Sequence, residues 1–330
     1  MKRIVSGCIA GLCAACLLFL TLTPLHAANG MLVEVSAFSD IDFSLLADGT
    51  FIRAAGGWQS ASGSLKCGRR YASVELRWIS GDYFQVLPET MLRGRPIFSG
   101  DAGRKIIVID DRTASALFGT LDCIGEAVLL DGDEYTVYGV YRLDESPLGL
   151  NVQALPVAFV PAADEADCTT LCMGFADGAD HGLAVTAAER ALERQEIMIL
   201  SSVDLSRRES NARAFCGVCL LLLSLLMCAL LPSCHGKKRW LCAAGKLLLV
   251  ALPLLLALSR FSPDPALLPT EPTENAFSDA WRALLLRMNT PESIIHPYLT
   301  ALVWKQRIAA ALLVPGIAAL LSAMRKKPCE

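Results

Sequence analysis

The apolar residues of this chain are gathered into four runs, and that distribution limits what it can fold into more than any motif does. Ile4 to about Thr23, Ala214 to Leu231, Trp240 to Leu258, and Ile308 to about Met324 are each long enough, at roughly 17 to 25 residues, to cross a bilayer core as a helix. Basic residues flank them: Lys2 and Arg3 before the first, Lys237, Lys238 and Arg239 between the second and third, and Arg325, Lys326 and Lys327 after the fourth. If all four runs span, the three clusters fall on one side, and the excess of Lys and Arg in cytoplasmic segments makes that side the cytoplasm. Both termini are then cytoplasmic, residues 28–213 lie outside, and a smaller exterior loop, residues 260–307, joins the third and fourth spans. Lys246, about two turns into the third run, has a stem long enough to snorkel toward the cytoplasmic face, a simpler role than ion coordination.

The first run has a rival reading. Its basic start, its apolar core, Pro24 and the triplet Leu25-His26-Ala27 are also those of a cleaved secretory signal. The length of the run, and the bulk of Leu25 where a small residue is preferred, favour a retained anchor.

Residue by residue, the exterior stretch reads as α+β. Leu32 to Phe38, Thr50 to Ala54 and Tyr71 to Ile79 are expected strands, with turns at Gly56-Gly57 and Ser62-Gly63-Ser64. Ile106 to Ile109 is an expected buried strand, after which Asp110 to Thr113 supply capping side chains for a short helix, Ala114 to Phe118, closed by Gly119. Leu129-Leu130 and the Tyr135 to Tyr138 segment make a hairpin through Asp131-Gly132. Asp131, Asp133 and Glu134 lack the spaced acidic series and terminal Glu of a calcium loop, so they are turn residues. Gly94 and Gly125 permit tight backbone geometry. Val157 to Val160 is a further strand. Leu183 to Arg194 is an amphipathic helix with Val185, Ala188 and Leu192 on one face, followed by a strand at Ile197 to Leu200.

Thirteen cysteines sort by compartment. Cys8, Cys13, Cys16, Cys216, Cys219, Cys228 and Cys242 fall in the apolar runs, where Cys acts as a small apolar residue, and Cys234 and Cys329 are cytoplasmic. The C-x-x-C spacings of Cys13/Cys16 and Cys216/Cys219 lack the strand-to-helix setting of a redox motif. Cys67, Cys123, Cys168 and Cys172 are outside, an even number that can form one or two disulfides in an oxidising compartment. Cys168, Cys172 and His181 would be one ligand short of a tetrahedral metal site.

Ser206 and Glu209 have capping-box spacing, and no Gly or Pro follows until Gly217. A helix therefore starts outside and runs into the second span, about 39 Å in all at 1.5 Å per residue. It is either a stalk that transmits displacement or a tether. In the exterior loop, Phe277, Trp281, Leu284, Leu285 and Met288 recur at helical spacing and predict an amphipathic helix on the membrane surface or the exterior domain.

No residues are assigned to catalysis, a cofactor or a metal. Ala243-Ala244-Gly245-Lys246 lacks the first glycine of a phosphate-binding loop and runs on into Leu247. The four histidines are scattered, without a nucleophile elbow or an H-E-x-x-H motif. A net charge of -3, with no basic stripe beyond the membrane-flanking clusters, argues against nucleic acid.

One ordered set of pieces goes further: Gly81-Asp-Tyr-Phe-Gln-Val-Leu87, Gly94-Arg95, the Ile106 to Ile109 strand, Ala114 to Gly119, Ile124-Gly125, and Tyr135 to Val140. This order resembles the MacB-like periplasmic core domain of FtsX-type ABC transporter permeases. The resemblance implies a two-lobed α+β extracytoplasmic domain, residues 28–205, set between an N-terminal membrane helix, residues 1–27, and a stalk with three further spans, residues 206–330. It implies a permease-like subunit in a bacterial inner membrane that carries ATPase-driven motion to the exterior domain. Expected partners are membrane lipids, a separate ABC ATPase, and a second copy or a second permease subunit. One feature departs from the pattern. The family carries a coupling helix between its second and third spans, whereas here only Pro232 to Arg239 is available, and Lys237, Lys238 and Arg239 serve better as topology determinants than as an ATPase dock. The alternative is a membrane-anchored sensor or scaffold that keeps the domain without ATPase coupling.

Overall fold

The computed structural model describes residues 2–23, 29–38, 41–142, 156–162, 168–230, 239–260 and 297–324. The described helices are α1 (Lys2–Leu22), α2 (Phe43–Leu46), α3 (Tyr83–Val86), α4 (Asp111–Phe118), α5 (His181–Arg194), α6 (Leu205–Leu230), α7 (Arg239–Arg260) and α8 (Pro297–Met324). The strands are β1 (Gly30–Phe38), β2 (Ile52–Cys67), β3 (Arg70–Gly81), β4 (Met91–Gly94), β5 (Ile106–Asp110), β6 (Ala127–Leu130), β7 (Asp133–Tyr141), β8 (Val157–Pro161), β9 (Cys168–Phe175) and β10 (Ile199–Asp204). The chain divides into a helical unit, built on Met1–His26, Arg207–Glu292 and Tyr298–Glu330, and a sheet unit, built on Ala27–Ser206 with Ser293–Pro297.

All ten described strands of the sheet unit join one sheet in the order β10-β1-β9-β2-β3-β8-β5-β7-β4, with β6 bridging β2 and β7. β3/β8 and β5/β7 are parallel, and the other pairs are antiparallel. Two apolar cores form on it. In one, alternate residues of β1 (Met31, Val33, Val35) and of β9 (Leu171, Met173) meet Ala184, Ala188 and Leu192 of α5. In the other, Ile107 and Ile109 of β5, Val137 of β7 and Ala158 and Val160 of β8 meet Ala114 and Leu117 of α4. A buried cation adds to the sheet: Arg77 donates to Glu75 Oε1 at 2.9 Å and lies against Tyr83, whose ring packs edge-on with Trp58 and Phe84.

Local chemistry accounts for several boundaries. Asp110 caps α4 by accepting from the N–H groups of Arg112 and Thr113, and Gly119 ends the helix at φ 76°. Asp131 and Gly132 both take positive φ, 52° and 95°, as a two-residue hairpin turn between β6 and β7 requires.

Three expectations fail. Gly56-Gly57 and Ser62-Gly63-Ser64 are not turns, because β2 runs straight through them and pairs with β3 without a break from Gly56↔Gly81 to Cys67↔Arg70. These glycines answer to crowding: a Cβ on Gly56 would stand 2.7 Å from the Tyr83 amide nitrogen, and one on Gly63 would strike the Leu76 side chain. β9, which the sequence reading leaves out, lies between β1 and β2 and is buried along nearly its whole length, so it shows no alternation to read. The last strand starts at Ile199 rather than Ile197.

In the helical unit, Leu205–Cys228 and Leu302–Leu321 are long and apolar enough to cross a membrane, and Cys8–Leu22 and Lys246–Ser259 are shorter apolar helices. Ala10, Cys13, Leu17 and Leu20 of α1 pack with Cys216, Cys219, Leu220 and Leu223 of α6 and with Ala309 and Leu320 of α8. Gly217 lets α6 and α7 approach closely, since a Cβ there would sit 3.1 Å from Ala257 Cα. Cys228 Sγ donates to the Lys246 carbonyl at 3.4 Å. Residue 217 meets 257 while 228 meets 246, so α6 and α7 are antiparallel.

Candidate functional site

The place where the sheet becomes a helix is fastened by side chains from several elements. β10 pairs with β1 from Met31↔Asp204 to Glu34↔Ser201, and Ser201 Oγ donates to Glu34 Oε2 at 3.0 Å. α6 begins at Leu205, the residue after β10. Asp204 faces Nε2 of His181, the first residue of α5, whose N-terminus is capped by Asp180 accepting from the Leu183 N–H. The His181 ring stands edge-on to Phe175, centroids 5.4 Å apart. Ser206 Oγ donates to Asn29 Oδ1 at 3.0 Å, so the chain entering β1 is tied to the chain leaving β10.

This corrects one assignment. Ser206 is not a helix cap: it lies within the first turn of α6 and its hydroxyl is turned to Asn29. Glu209, its supposed capping partner, is a buried residue of the same helix.

In the helical unit, a second set of polar groups gathers at the end of α1. Arg213 of α6 donates from Nε to the Thr21 carbonyl at 3.1 Å and from Nη2 to the Leu22 carbonyl at 3.2 Å. Lys305 of α8, 3% exposed, donates to the Thr23 carbonyl at 2.7 Å. These are carbonyls that a helix C-terminus leaves without an internal partner, and the charge of the donors suits the negative end of the helix dipole. The arrangement also fixes directions, because the C-terminal end of α1 meets the N-terminal portions of both α6 and α8.

Cys67, Cys123, Cys168 and Cys172, which the sequence places outside, are free thiols and are not brought together as a set. Cys123 is buried in the core under α4, where burial pushes its thiol up to about 11, and Cys67 packs at the edge of that core. Cys168 and Cys172 are buried in β9, and burial pushes the Cys172 thiol higher still. Four residues of extended strand separate their Cα atoms by about 13 Å. A bridge tolerates at most about 7 Å, so a local disulfide between these two is incompatible with β9. The metal reading of Cys168, Cys172 and His181 loses its third ligand to Asp204, and among the described residues no three His, Cys, Asp or Glu side chains could hold an ion. Lys237 and Lys238 lie outside the described residues, and Arg239 opens α7.

A cluster that the sequence reading missed closes the connection between β4 and β5. The buried Asp101 carboxylate accepts from Arg95 at 2.7 and 3.0 Å, from Arg104 at 2.8 Å and from the Phe98 N–H at 3.1 Å. The Arg95 guanidinium also lies over the Tyr138 ring, 4.2 Å from its centroid. The Arg95 hydrogen bonds lead in holding the Asp101 carboxyl down at about 2. Arg95 and Tyr138 had sequence signals, in Gly94-Arg95 and in Tyr135 to Val140, but the acceptor did not, because it sits six residues after Arg95 in a single 3-10 turn, Ser99–Asp101.

Taken together, these groups fasten chain segments to one another. Residues 20–195 match the family model described as MacB-like periplasmic core domain. Among solved structures, the periplasmic region of MacB from Actinobacillus actinomycetemcomitans is similar at 15% identity and a TM-score of 0.45, over 54% of this chain and 89% of that one. The extracellular domain of the noncanonic ABC-type transporter YknZ from Gram-positive bacteria is similar at 17% identity and a TM-score of 0.40, over 52% and 98%. No curated protein matches the chain.

Proposed function

The chain belongs to the family of the MacB-like periplasmic core domain, and from that membership we propose that it is a permease-like membrane subunit of an ABC-type transporter. In this reading it does not catalyse; a separate ATPase supplies the motion, and this chain carries it to the exterior domain. The observation that carries the proposal is α6, which runs unbroken over 26 residues from the end of β10. At 1.5 Å per residue it is a rod about 39 Å long with no loop at its exterior end to absorb displacement.

Four spans with cytoplasmic termini and an exterior domain of two lobes complete the reading. Its support is that α1 runs opposite to α6 and α8, and α6 opposite to α7, as successive crossings require. The three basic clusters then fall on the cytoplasmic side of a bacterial inner membrane. The two apolar cores, one under α4 and one under α5, support two lobes on a shared sheet.

The short connection between α6 and α7, residues 231–238, favours a second reading, a sensor or scaffold without ATPase coupling. A ligand shifts a conformational equilibrium only through contacts that differ between the two states, and eight residues offer little surface for them. The readings part in reconstituted membranes. As the sole permease the chain should stimulate a partner ATPase weakly, and more strongly with a second permease subunit present; no stimulation in either case would leave the scaffold. For topology, an exterior-active reporter should work after Ser201 and fail after Lys238, and activity after Lys238 would remove the four-span arrangement.

A further inference from the structure

The proposed rod has a weakness as a transmitter. The exterior domain is joined to the helices by two chain connections, α1 into β1 and β10 into α6, and if α1 could slide past α6 a displacement would be lost as shear. In the sheet unit, β1 and β10 are paired neighbours. In the helical unit, the end of α1 is gripped from two sides, by Arg213 of α6 through two carbonyls and by Lys305 of α8 through a third.

Other features mark this as a built contact. Lys305 is 3% exposed and Glu209 is 8% exposed and within electrostatic reach of it, so an ammonium and a carboxylate of opposite sign are both taken out of solvent. Burying such groups is costly unless they are paired and hydrogen-bonded. Arg213 is the last charged residue of α6 before the apolar run that starts at Ala214, and Lys305 stands just before the apolar end of α8, beside Trp304 and Arg307, whose guanidinium lies 5.4 Å from the indole centroid. The α1 carbonyls meet both cations beside the uncharged apolar stretches that follow Arg213 in α6 and Arg307 in α8. There, competing water is scarce and an unmet carbonyl is expensive. The apolar face of α1 continues the contact inward through Leu20, Leu17, Cys13 and Ala10.

We infer that Arg213 and Lys305 form a clamp on the C-terminal end of α1 that holds α1 to α6 and α8 as one mechanical body. The clamp deepens the proposed function and rests on it for its purpose, but not for its existence. α1 then remains bound to the bundle even when its covalent link to the rest of the chain is cut. A helix held only by its connection, or one destined for removal as a secretory leader, has no need of a buried ammonium and a half-buried guanidinium on its last carbonyls.

The test uses the full chain in mild detergent, with a recognition site for a sequence-specific protease in place of residues 24–28, one tag on each terminus, and capture through the C-terminal tag after cleavage. The unsubstituted chain should retain α1 close to one per molecule. Arg213→Ala with Lys305→Met should lower retention by about tenfold or more, since charge-assisted bonds are among the strongest single contacts. Arg213→Lys with Lys305→Arg should retain most of it, and Lys246→Ala, outside the clamp, all of it. If the double variant does not accumulate, Arg213→Gln and Lys305→Gln singly should each give intermediate loss. Release of α1 from the unsubstituted chain would overturn the inference, as would full retention by the variants, because apolar packing alone would then suffice. A topology reporter on the same variants separates the two claims: a wrong orientation sinks the proposed function, while α1 release with correct orientation sinks the clamp.

Discussion

Replacing Gly56 with alanine tests the sheet at the point where its geometry is tightest. Gly56 pairs with Gly81 of β3 on one side and Cys172 of β9 on the other. An added Cβ would lie 2.7 Å from the Tyr83 nitrogen and 2.9 Å from both the Tyr83 Cα and the Ser80 carbonyl oxygen. All three are main-chain atoms, so no rotamer change relieves the clash, and either β3 or α3 must shift. Overpacking of this kind costs about 1–3 kcal/mol, and the rigidity of the neighbours places Gly56→Ala toward the upper end. Loss of unfolded-state freedom returns about 0.4–1 kcal/mol, which leaves a net destabilisation near 2 kcal/mol. For a domain of this size that is a fall in thermal midpoint of roughly 4–8 °C. Gly63→Ala meets side-chain atoms only, Leu76 Cδ1 and, at 2.8 Å, Leu76 Cγ, which can shift more readily than main chain, and should cost less. Thermal and urea unfolding of residues 27–206, followed by circular dichroism, measures both. A Gly56→Ala protein within about 0.5 kcal/mol of the parent would refute the packing argument, as would a larger loss for Gly63→Ala.

Acid should loosen the connection between β4 and β5. The Asp101 carboxyl is held at about 2, below its ordinary 3.8, so its stabilisation is present above pH 4 and is lost as the pH falls toward 2. After discounting for the exposed sides of Arg95 and Arg104, about 1–2 kcal/mol should vanish over that window in the parent and be missing from Asp101→Asn at all pH values; identical acid unfolding of the two would contradict it. In residues 27–206, thiol labelling should modify Cys67 first, leave Cys123, Cys168 and Cys172 slow while folded, and reach them on unfolding. A Cys168–Cys172 bridge found by mass spectrometry would contradict β9 as a strand.

The parts of this fold legible in the sequence are those governed by neighbours along the chain. The Asp110 cap, the Gly119 helix end and the Asp131-Gly132 turn each follow from side chains within a few positions of one another. Gly56 misleads because its reason lies across the sheet at Tyr83, and crowding by distant backbone leaves the same residue in the sequence as a turn does. β9 is hidden by burial on both faces, which erases alternation. The clamp is invisible for a similar reason: Arg213 and Lys305 belong to no motif, and their acceptors are main-chain carbonyls of α1, which carry no residue identity.

The central claim is that α6 carries motion to the exterior domain, and one distance measures it. Genetically encoded spin labels at Asn211 in α6 and at Arg69 in the β2–β3 turn, in the complex isolated from native membranes, report their separation by pulsed electron resonance with and without a non-hydrolysable ATP analogue. The account expects the distance distribution to shift with the nucleotide, and expects two glycines inserted after Arg208 to abolish the shift while the sheet unit stays folded. An unchanged distribution in the unmodified complex would contradict it, and so would a shift that survives the broken helix.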